Sequence, residues 1–401
     1  MTRRSALSIS LLCFSFTVAV SQAVPHYKVD PSWPQELPNN WTLGQIRGVA
    51  VDSTNHVWVL NEGGADDDEG AAKTPPLAEC CIPAPAVVEF SGDGKVLAAW
   101  GGQGYVPSWP ESPHGIYVDK KGNVWIGGVG SPWNSDVGTP KPIDGQPWDR
   151  QVLKFSAEGK LLLQIGKPSN APVNNEDPAL LGAPSAIKVD DAANEVYIAD
   201  GFFNKRVVVY DANTGAFKRG WGAYGIPLSK VDNSTPAVFP AGRPDLSAPP
   251  SKQFGSLTDI AIAADGLIYV ADQINDRIQA FTKAGKFVKE FSVAPQEIGY
   301  ESAWALAISP DAKQRYLFVT DGASGLIRVF DRRGGTELNK FGHKGRDTGE
   351  FTNLGWAAFD SQADLYTGEV HFTRSFDAVQ SALSGKSYTP GGRVQKFVRA
   401  E

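Results

Sequence analysis

The chain has 401 residues, with 44 acidic and 38 basic side chains and a formal net charge of −6 at pH 7. This acidic balance argues against nucleic acid or an anionic membrane surface as the main partner. The 42 glycines and 28 prolines favour many short strands joined by turns over long helices.

The N-terminus has the pattern of a signal peptide. A pair of arginines precedes an apolar run from Ala6 to Val20, and small residues follow at Ser21-Gln22-Ala23. The run is too short to span a bilayer, and no later segment approaches the length of a membrane span. A buried N-terminal helix is the alternative. We predict removal of residues 1–23, which leaves residues 24–401 as a secreted or periplasmic protein.

Cys80 and Cys81 are the cysteines that remain after Cys13 leaves with the signal peptide. Adjacent cysteines cannot cross-link distant strands, and two alone do not form a metal cage. In an oxidising compartment they form either a strained vicinal disulfide or two thiols. The acidic run Asp66–Glu69 precedes them and is interpreted as a solvated loop, because it lacks the ligand spacing of a calcium-binding loop.

Six segments of the chain repeat one pattern. Each contains a β-rich strand with an aromatic residue at its centre. An apolar strand precedes most of these strands, an alternating strand follows each, and a fourth strand completes five units. The central aromatic residues are Trp58, Trp125, Tyr197, Tyr269, Phe318 and Tyr366. Four short antiparallel strands repeated radially form a propeller blade. The sequence therefore predicts an all-β, six-bladed β-propeller with four-stranded antiparallel blades.

The sixth unit ends after its third strand, near Val398, whereas Tyr27–Asp30 is a lone strand without a unit of its own. An incomplete last blade would leave an open sheet edge, and a spare strand from the other end of the chain closes it. We predict that residues 26–31 form the outer strand of the last blade.

Two of the repeats carry a motif that resembles the NHL repeat. The matching segments are Val196–Val207, which reads VYIADGFFNKRV, and Ile268–Ile278, which reads IYVADQINDRI. The resemblance extends over nearly the whole mature chain. It implies a propeller but no particular chemistry, because one fold hosts unrelated functions.

Among NHL enzymes, the chain is most similar to the peptidylglycine-amidating lyase. That family places three histidines around a zinc ion in the central channel, and Pro113-His114-Gly115-Ile116 matches one such segment. Thr258 and Gly355 stand at two other ligand positions, and Phe202 replaces the catalytic tyrosine. Glu62 and Gln273 stand where the family has two arginines, and Trp356 stands where it has a calcium-binding acid. The resemblance therefore implies a shared fold without amidating-lyase chemistry, since catalytic zinc needs about three protein ligands.

Three residues are candidates for catalysis. His114 begins an inner strand and points to the channel mouth, where it acts either as a remnant metal ligand or acid/base group, or as a hydrogen-bonded channel histidine. His371 and Glu369 follow the second strand of blade six on the same side. A site built from these residues would use a divalent cation, zinc or calcium, with His114 as the remnant metal ligand.

The repeated acids Asp200, Asp272 and Asp321, together with Glu369, stand near the end of the second strands. Each is followed by an arginine. A cation-binding ring is one interpretation, but repetition in register favours ion pairs that tie each blade together.

Four tryptophans, in or beside the segments that join the strands, are candidates for ligand binding: Trp109, Trp133, Trp148 and Trp304. Long loops on a rigid scaffold are common sites of binding. These side chains either line a groove for a carbohydrate or peptide, or pack the loops against the fold.

The leading hypothesis is an exported binding module that takes a peptide, glycan or protein through its loop-bearing face. The alternative is a metal-assisted lyase or lactone-type hydrolase that works in the central channel. Motifs of serine hydrolases, zinc proteases, P-loop proteins and dinucleotide-binding enzymes are missing from the sequence.

Overall fold

The computed structural model describes residues 24–62, 82–129, 147–172, 174–233, 250–297, 302–369 and 393–400. The predicted signal peptide, the cysteine pair, the acidic run, Trp133 and His371 lie outside these ranges. Within the described residues there is no α-helix, and no helix long and apolar enough to cross a membrane. Short 3-10 helices occupy Pro38–Asn40, Ala223–Gly225, Leu228–Lys230 and Gln273–Asn275.

Short β-strands make up nearly all of the regular structure. They are, in chain order, β1 (His26–Asp30), β2 (Trp41–Thr42), β3 (Gln45–Val51), β4 (Val57–Glu62), β5 (Ile82–Pro83), β6 (Val87–Phe90), β7 (Val96–Trp100), β8 (Pro113–Val118), β9 (Val124–Gly128), β10 (Gln151–Phe155), β11 (Leu161–Gly166), β12 (Pro184–Asp190), β13 (Glu195–Asp200), β14 (Arg206–Asp211), β15 (Phe217–Trp221), β16 (Leu257–Ile262), β17 (Leu267–Asp272), β18 (Arg277–Thr282), β19 (Phe287–Ser292), β20 (Leu306–Ile308), β21 (Tyr316–Asp321), β22 (Leu326–Asp331), β23 (Glu337–Phe341), β24 (Leu354–Phe359), β25 (Leu365–Glu369) and β26 (Val394–Ala400).

The strands form six four-stranded antiparallel sheets, which confirms the predicted propeller. Blades 1 to 5 are β3-β4-β6-β7, β8-β9-β10-β11, β12-β13-β14-β15, β16-β17-β18-β19 and β20-β21-β22-β23, and blade 6 is β24-β25-β26-β1. The first strands of successive blades contact one another, and β24 returns to β3, so that the inner strands form a closed ring. The short strands β2 and β5 pair in parallel beside blade 1.

The N-terminal strand completes blade 6, as the sequence predicts. β1 pairs with β26 from His26 opposite Ala400 to Asp30 opposite Lys396. The Tyr27 ring stacks on Phe341 of blade 5, with the ring centroids 5.4 Å apart. The strand therefore covers the edge of β26 and also fills the interface between blades 5 and 6.

The core lies between the blades. Large apolar side chains of neighbouring sheets interdigitate there, and the aromatic residues at the centres of the second strands, Trp58, Trp125, Tyr197, Tyr269, Phe318 and Tyr366, are buried. Alternation of side chains on each strand places apolar residues against both adjacent blades. The rigid ring that results fixes where the inner strands begin, and this determines the geometry of the channel mouth.

The two ends of the propeller differ because the strands within a blade are antiparallel. Tight turns between first and second strands, and between third and fourth strands, lie at one end, which we call the turn face. The second strands end, the third strands begin and each chain segment leaves for the next blade at the other end, which we call the loop face. The second-to-third connections are long in blades 6, 1 and 2 (residues 370–393, 63–86 and 129–150) and short in blades 3 to 5 (residues 201–205, 273–276 and 322–325).

Candidate functional site

At the loop-face end of each inner strand, one residue occupies the same position of the repeat. In blades 1, 2, 3, 4 and 6 the pairing register shifts at or beside this position, which marks a β-bulge. A bulge bends the strand and changes the direction of a side chain. The six equivalent residues are Arg47, His114, Ser185, Thr258, Trp304 and Gly355.

His114 is buried, with 5% of its surface exposed. Its Nδ1 lies 3.0 Å from the Ser185 carbonyl oxygen in blade 3. Because a carbonyl only accepts, Nδ1 carries the proton and Nε2 keeps its lone pair. The rings of Phe202 and Trp356 pack against the imidazole, with centroid separations of 5.1 and 5.0 Å. Burial and the nearby charge of Arg47 lower the pKa of His114 to about 3, so the imidazole is neutral at pH 7.

Other polar side chains at the channel tie neighbouring blades together. The Ser185 hydroxyl donates to a main-chain carbonyl of blade 4 over 2.6 Å, and the Thr258 hydroxyl donates to one leading into blade 5 over 2.9 Å. The Trp356 indole donates to a carbonyl of blade 1 over 3.2 Å. These bonds satisfy groups that are buried at the axis, so the side chains have a structural role.

Arg47 occupies the His114 position in blade 1, and the sequence analysis missed it. Its Nε lies 2.6 Å and its Nη2 2.5 Å from Oε2 of Glu62, and each side chain is 17% exposed. Such a charge-assisted pair fixes the guanidinium at the channel mouth. Alignment of the repeats would have revealed the residue, because Arg47 precedes Gly48 as His114 precedes Gly115.

Glu369 ties blade 6 together, as the repeated acids were expected to do. Its Oε1 accepts from Nε of Arg393 over 2.5 Å, and its Oε2 accepts from the Thr352 main-chain nitrogen over 2.7 Å and from the Thr352 hydroxyl. Both carboxylate oxygens are thus occupied, and the residue is buried. A catalytic role for His114 or Glu369 stays a prediction.

The same arrangement ties blades 3, 4 and 5. Buried aspartates at the ends of the second strands accept from arginine Nε at 2.8 Å in the pairs Asp200–Arg206, Asp272–Arg277 and Asp321–Arg328. In blades 3 and 4 the guanidinium also donates to carbonyls of the segment that enters the blade. We call these pairs the blade ties.

Among the described residues, blades 1 and 2 show no acid–arginine pair at this position. Asn61 stands at the acid position of blade 1, where its amide oxygen accepts from the Gly44 nitrogen over 3.2 Å. Gly128 stands there in blade 2, and Asp149 supplies the carboxylate instead, accepting from the Ser112 nitrogen over 3.0 Å. A neutral amide and a carboxylate from outside the strand therefore replace the ion pair.

The predicted ligand-binding tryptophans that fall within the described residues are buried. Trp109 packs between blades 1 and 2 against Trp100, and Trp148 packs against Phe203 with a centroid separation of 4.8 Å. Trp304 joins the apolar cluster between blades 5, 6 and 1. Their exposed fractions are 6 to 8%. Ligand binding by these residues and by Trp133 stays a prediction.

The channel residues do not fit the zinc site that the resemblance implies. Of the three ligand positions, His114 supplies one imidazole, Thr258 uses its hydroxyl in a hydrogen bond to a carbonyl, and Gly355 has no side chain. Catalytic zinc sites use about three protein ligands. Of the three positions that hold the family's zinc histidines, one carries a histidine in this chain.

Four of the polar and aromatic side chains at the channel mouth lie in three neighbouring blades. Trp356 belongs to blade 6, Arg47 and Glu62 to blade 1, and His114 to blade 2. These blades are neighbours, and they also carry the long second-to-third connections at the loop face. We call this part of the propeller the 6–1–2 sector.

No family model matches the chain. Peptidyl-glycine alpha-amidating monooxygenase B of Xenopus laevis is 28% identical over 296 residues, which cover 71% of this chain and 28% of that protein. NHL repeat-containing protein 3 of Mus musculus is 27% identical over 312 residues, which cover 76% of this chain and 70% of that protein. A probable peptidyl-alpha-hydroxyglycine alpha-amidating lyase of Caenorhabditis elegans is 23% identical over 246 residues, or 60% of this chain and 56% of that protein.

The chain spans little more than a quarter of the length of the Xenopus amidating monooxygenases that it matches. The fold and the sequence comparisons agree with the repeat pattern. This protein is a six-bladed β-propeller whose relatives include NHL repeat-containing protein 3 and peptidyl-glycine amidating enzymes.

Proposed function

We propose that the protein is an exported binding module that takes a peptide, glycan or protein partner on the loop face of the 6–1–2 sector. The observation that carries the proposal is that three adjacent blades have both the long second-to-third connections and the channel-mouth residues Arg47, Glu62, His114 and Trp356. Binding residues are commonly placed on long loops that a rigid scaffold positions.

The chemistry of the sector favours a peptide among these ligands. Arg47 and Glu62, each 17% exposed, offer both signs of charge close together at the channel mouth. A peptide presents carbonyls, amides and side chains to such a mixed surface. Several relatives are also named as enzymes that act on peptidyl-glycine or on peptidyl-alpha-hydroxyglycine.

The proposal is tested by selecting ligands on the folded protein from a random peptide display library, with a glycan array in parallel. We expect enriched peptides whose affinity falls at least about tenfold in Arg47→Ala, the loss that one well-made charged contact supplies. Lys121→Ala, an exposed change in a tight turn of blade 2 at the turn face, is the matched control and should bind unchanged.

Two results would defeat the proposal. One is ligand affinity that Lys121→Ala lowers as much as Arg47→Ala does, because the site would then lie elsewhere. The other is catalytic turnover of a defined small substrate that a change of a channel residue abolishes.

Export is tested separately, by expression of the full chain and mass measurement of the mature product. The residues before Val24 have the pattern of a cleaved signal peptide. A mature N-terminus at Val24 in the extracytoplasmic fraction is expected. Retention of residues 1–23 in a cytoplasmic product would overturn this part of the proposal.

A second candidate function is that of a metal-assisted lyase or lactone-type hydrolase in the channel. It rests on the orientation of His114, which donates its Nδ1 proton to a carbonyl, as metal-binding histidines commonly do. The test is metal analysis of the purified protein beside His114→Ala. A metal that this substitution removes, together with an activity that it abolishes, would support the enzyme. Less than about a tenth of an equivalent of such metal per chain would mean that the proposed enzyme has no metal centre in the channel.

A further inference from the structure

Blades 1, 2 and 6 share an arrangement at the turn face. In each, an aspartate begins the turn between the first and second strands and accepts a hydrogen bond from the aromatic residue of the second strand. The donors are the indoles of Trp58 and Trp125 and the hydroxyl of Tyr366, and the acceptors are Asp52, Asp119 and Asp360, at 2.9, 3.0 and 3.2 Å.

Blades 2 and 6 place a lysine beside this unit. Lys154 pairs with Trp125 in the β-ladder, and Lys396 pairs with Tyr366. Their ammonium groups lie over the aromatic rings, 4.9 and 5.5 Å from the centroids. Lys396 also forms an ion pair with Asp364 over 2.9 Å. A cation thus accompanies the turn carboxylates in both blades.

Blade 1 has a glutamate where the other two blades have lysine. Glu89 pairs with Trp58 in the ladder. His56 stands four residues after Asp52, at the position of Asn123 in blade 2. The His56 Nδ1 lies 2.7 Å from Oε1 of Glu89 and 4.0 Å from Oδ2 of Asp52.

The side chains of Asp52, His56 and Glu89 form one cluster. One nitrogen or oxygen atom from each lies within 4.8 Å of the others. Asp52 is held in place, since its Oδ1 accepts from the main-chain nitrogens of Thr54 and His56 at 2.8 and 3.0 Å. The Asp52 and Glu89 side chains are 12 and 15% exposed, whereas His56 is 36% exposed, which leaves a path for an ion and for water.

We propose that Asp52, His56 and Glu89 form a binding site for a divalent transition metal of the Zn²⁺ type. Two carboxylates and one imidazole match the ligand preferences of Zn²⁺, and water would complete the coordination. Tetrahedral ligands about 2.0 Å from zinc stand about 3.3 Å apart. The separations of 2.7 and 4.0 Å from the His56 Nδ1 lie on either side of that value. The ion supplies to blade 1 the positive charge that lysine supplies to blades 2 and 6.

The metal would connect the turn that leads into β4 with the third strand β6. It would therefore stabilise blade 1 from the turn face, at the end of the propeller opposite the proposed ligand surface. The inference does not depend on the proposed function.

The chain itself provides the substitutions for the test. His56→Asn and Glu89→Lys restore the residues that blade 2 carries, Asn123 and Lys154. The controls are His114→Ala in the channel and His343→Asn, whose side chain is 68% exposed and near Glu350. Zn²⁺ is titrated into metal-free, full-length mature protein, with affinity measured by competition against a chromogenic chelator and stability measured by thermal unfolding.

We expect about one Zn²⁺ per chain and a rise in Tm of about 5 °C when free Zn²⁺ exceeds its Kd about a hundredfold. His56→Asn and Glu89→Lys should each weaken binding at least about tenfold and remove the rise in Tm, since each deletes a ligand. Both should keep the Tm of the metal-free protein, and the two controls should bind as the unsubstituted protein does. No stoichiometric binding, or affinity within about twofold of the unsubstituted protein in His56→Asn, would overturn the proposal. Loss of binding in His114→Ala alone would place the metal in the channel and overturn it equally.

Discussion

Blades 3 to 5 and blades 1 and 2 use the same position of the repeat in different ways. In the first group a buried aspartate at the end of the second strand binds an arginine of the third strand, and the turn between these strands is short. In the second group Asn61 and Gly128 stand at that position and the connection is long. The polar pair Arg47–Glu62 and the buried His114 lie in this second group.

Blade 6 shows that a long connection alone does not remove the tie. Residues 370–393 connect its second and third strands, yet Glu369 and Arg393 form the ion pair over 2.5 Å. The loss of the tie in blades 1 and 2 is therefore a separate feature of their sequences. We infer that the buried ion pairs stabilise blades 3 to 5, whereas blades 1 and 2 use the equivalent region for the polar groups of the channel mouth.

The largest expected effect on the free energy of unfolding concerns the buried ion pairs of blades 3 to 5. Arg206→Met removes one partner of a pair in which both side chains are fully buried, and it leaves Asp200 as an uncompensated charge. Loss of one member of a buried ion pair costs about 3–5 kcal/mol. The free energy of unfolding from urea titration should fall by that amount. Asn61→Ala, the counterpart in blade 1, should cost about 1–3 kcal/mol, because it removes neutral hydrogen bonds.

The exposed pair Arg333–Asp265 provides the control. Arg333 is 71% exposed, so Arg333→Met should change the free energy of unfolding by less than about 0.5 kcal/mol. An equal effect of Arg206→Met and Asn61→Ala would contradict the distinction between the two groups of blades.

The next effect concerns β1, the N-terminal strand that completes blade 6. Tyr27→Ala removes a half-buried ring that stacks on Phe341 and meets Phe318 edge-on at 5.7 Å. Complete burial of such a ring is worth about 3–5 kcal/mol, so we expect a loss of roughly 2–3 kcal/mol in urea unfolding. Lys28→Ala, an exposed change on the same strand, is the control. A loss below about 1 kcal/mol for Tyr27→Ala would mean that β1 contributes little to closure.

The fold was predictable from the sequence because its signals are local and repeated. Alternating strands, Gly-containing turns and one central aromatic residue in each unit indicated six blades, and the spare strand at Tyr27 indicated the closure. The blade ties were predictable because acid and arginine recur within one unit, although the turn between them varies in length.

The channel mouth was only partly predictable. His114 was found through a motif, but Arg47 was missed because its role depends on the register of blade 1 against the other blades. The contact of His114 with Trp356 joins residues from blades 2 and 6, which are distant in the chain. A close contact of this kind depends on the closed ring, and no local pattern encodes it.

A third prediction uses the buried histidine of blade 2. Its folded-state pKa of about 3 lies below the ordinary value of 6.5, so below pH 6.5 the unfolded chain binds a proton that the folded chain does not. Stability should fall by about 2 kcal/mol between pH 7 and pH 5. His114→Asn should remove this dependence, and the exposed change His343→Asn should keep it, when urea unfolding is measured across that range. If the free energy of unfolding of His114→Asn fell with pH as steeply as that of the unsubstituted protein, His114 would not be the buried group responsible.

The smallest effect has the opposite sign and lies between blades 4 and 5. Burial raises the pKa of Asp276 to about 6, and Glu297 and Asp272 add to the shift, while the hydroxyl of Ser302 opposes it. Because the folded-state pKa exceeds the ordinary value of 3.8, the folded chain holds the proton more tightly, and stability falls as pH rises from about 4 to about 6. Asp276→Asn should therefore stabilise the protein at pH 7 by roughly 1–2 kcal/mol, after allowance for partial solvent screening. The gain should disappear near pH 4.

The pKa of Asp321 in blade 5 is also raised by burial, so this variant should keep part of the dependence of stability on pH. One pH series would distinguish the two sides of the ring, because His114 and Asp276 make stability depend on pH with opposite signs. If Asp276→Asn stabilised the protein equally at pH 4, Asp276 would act through packing and not through its charge.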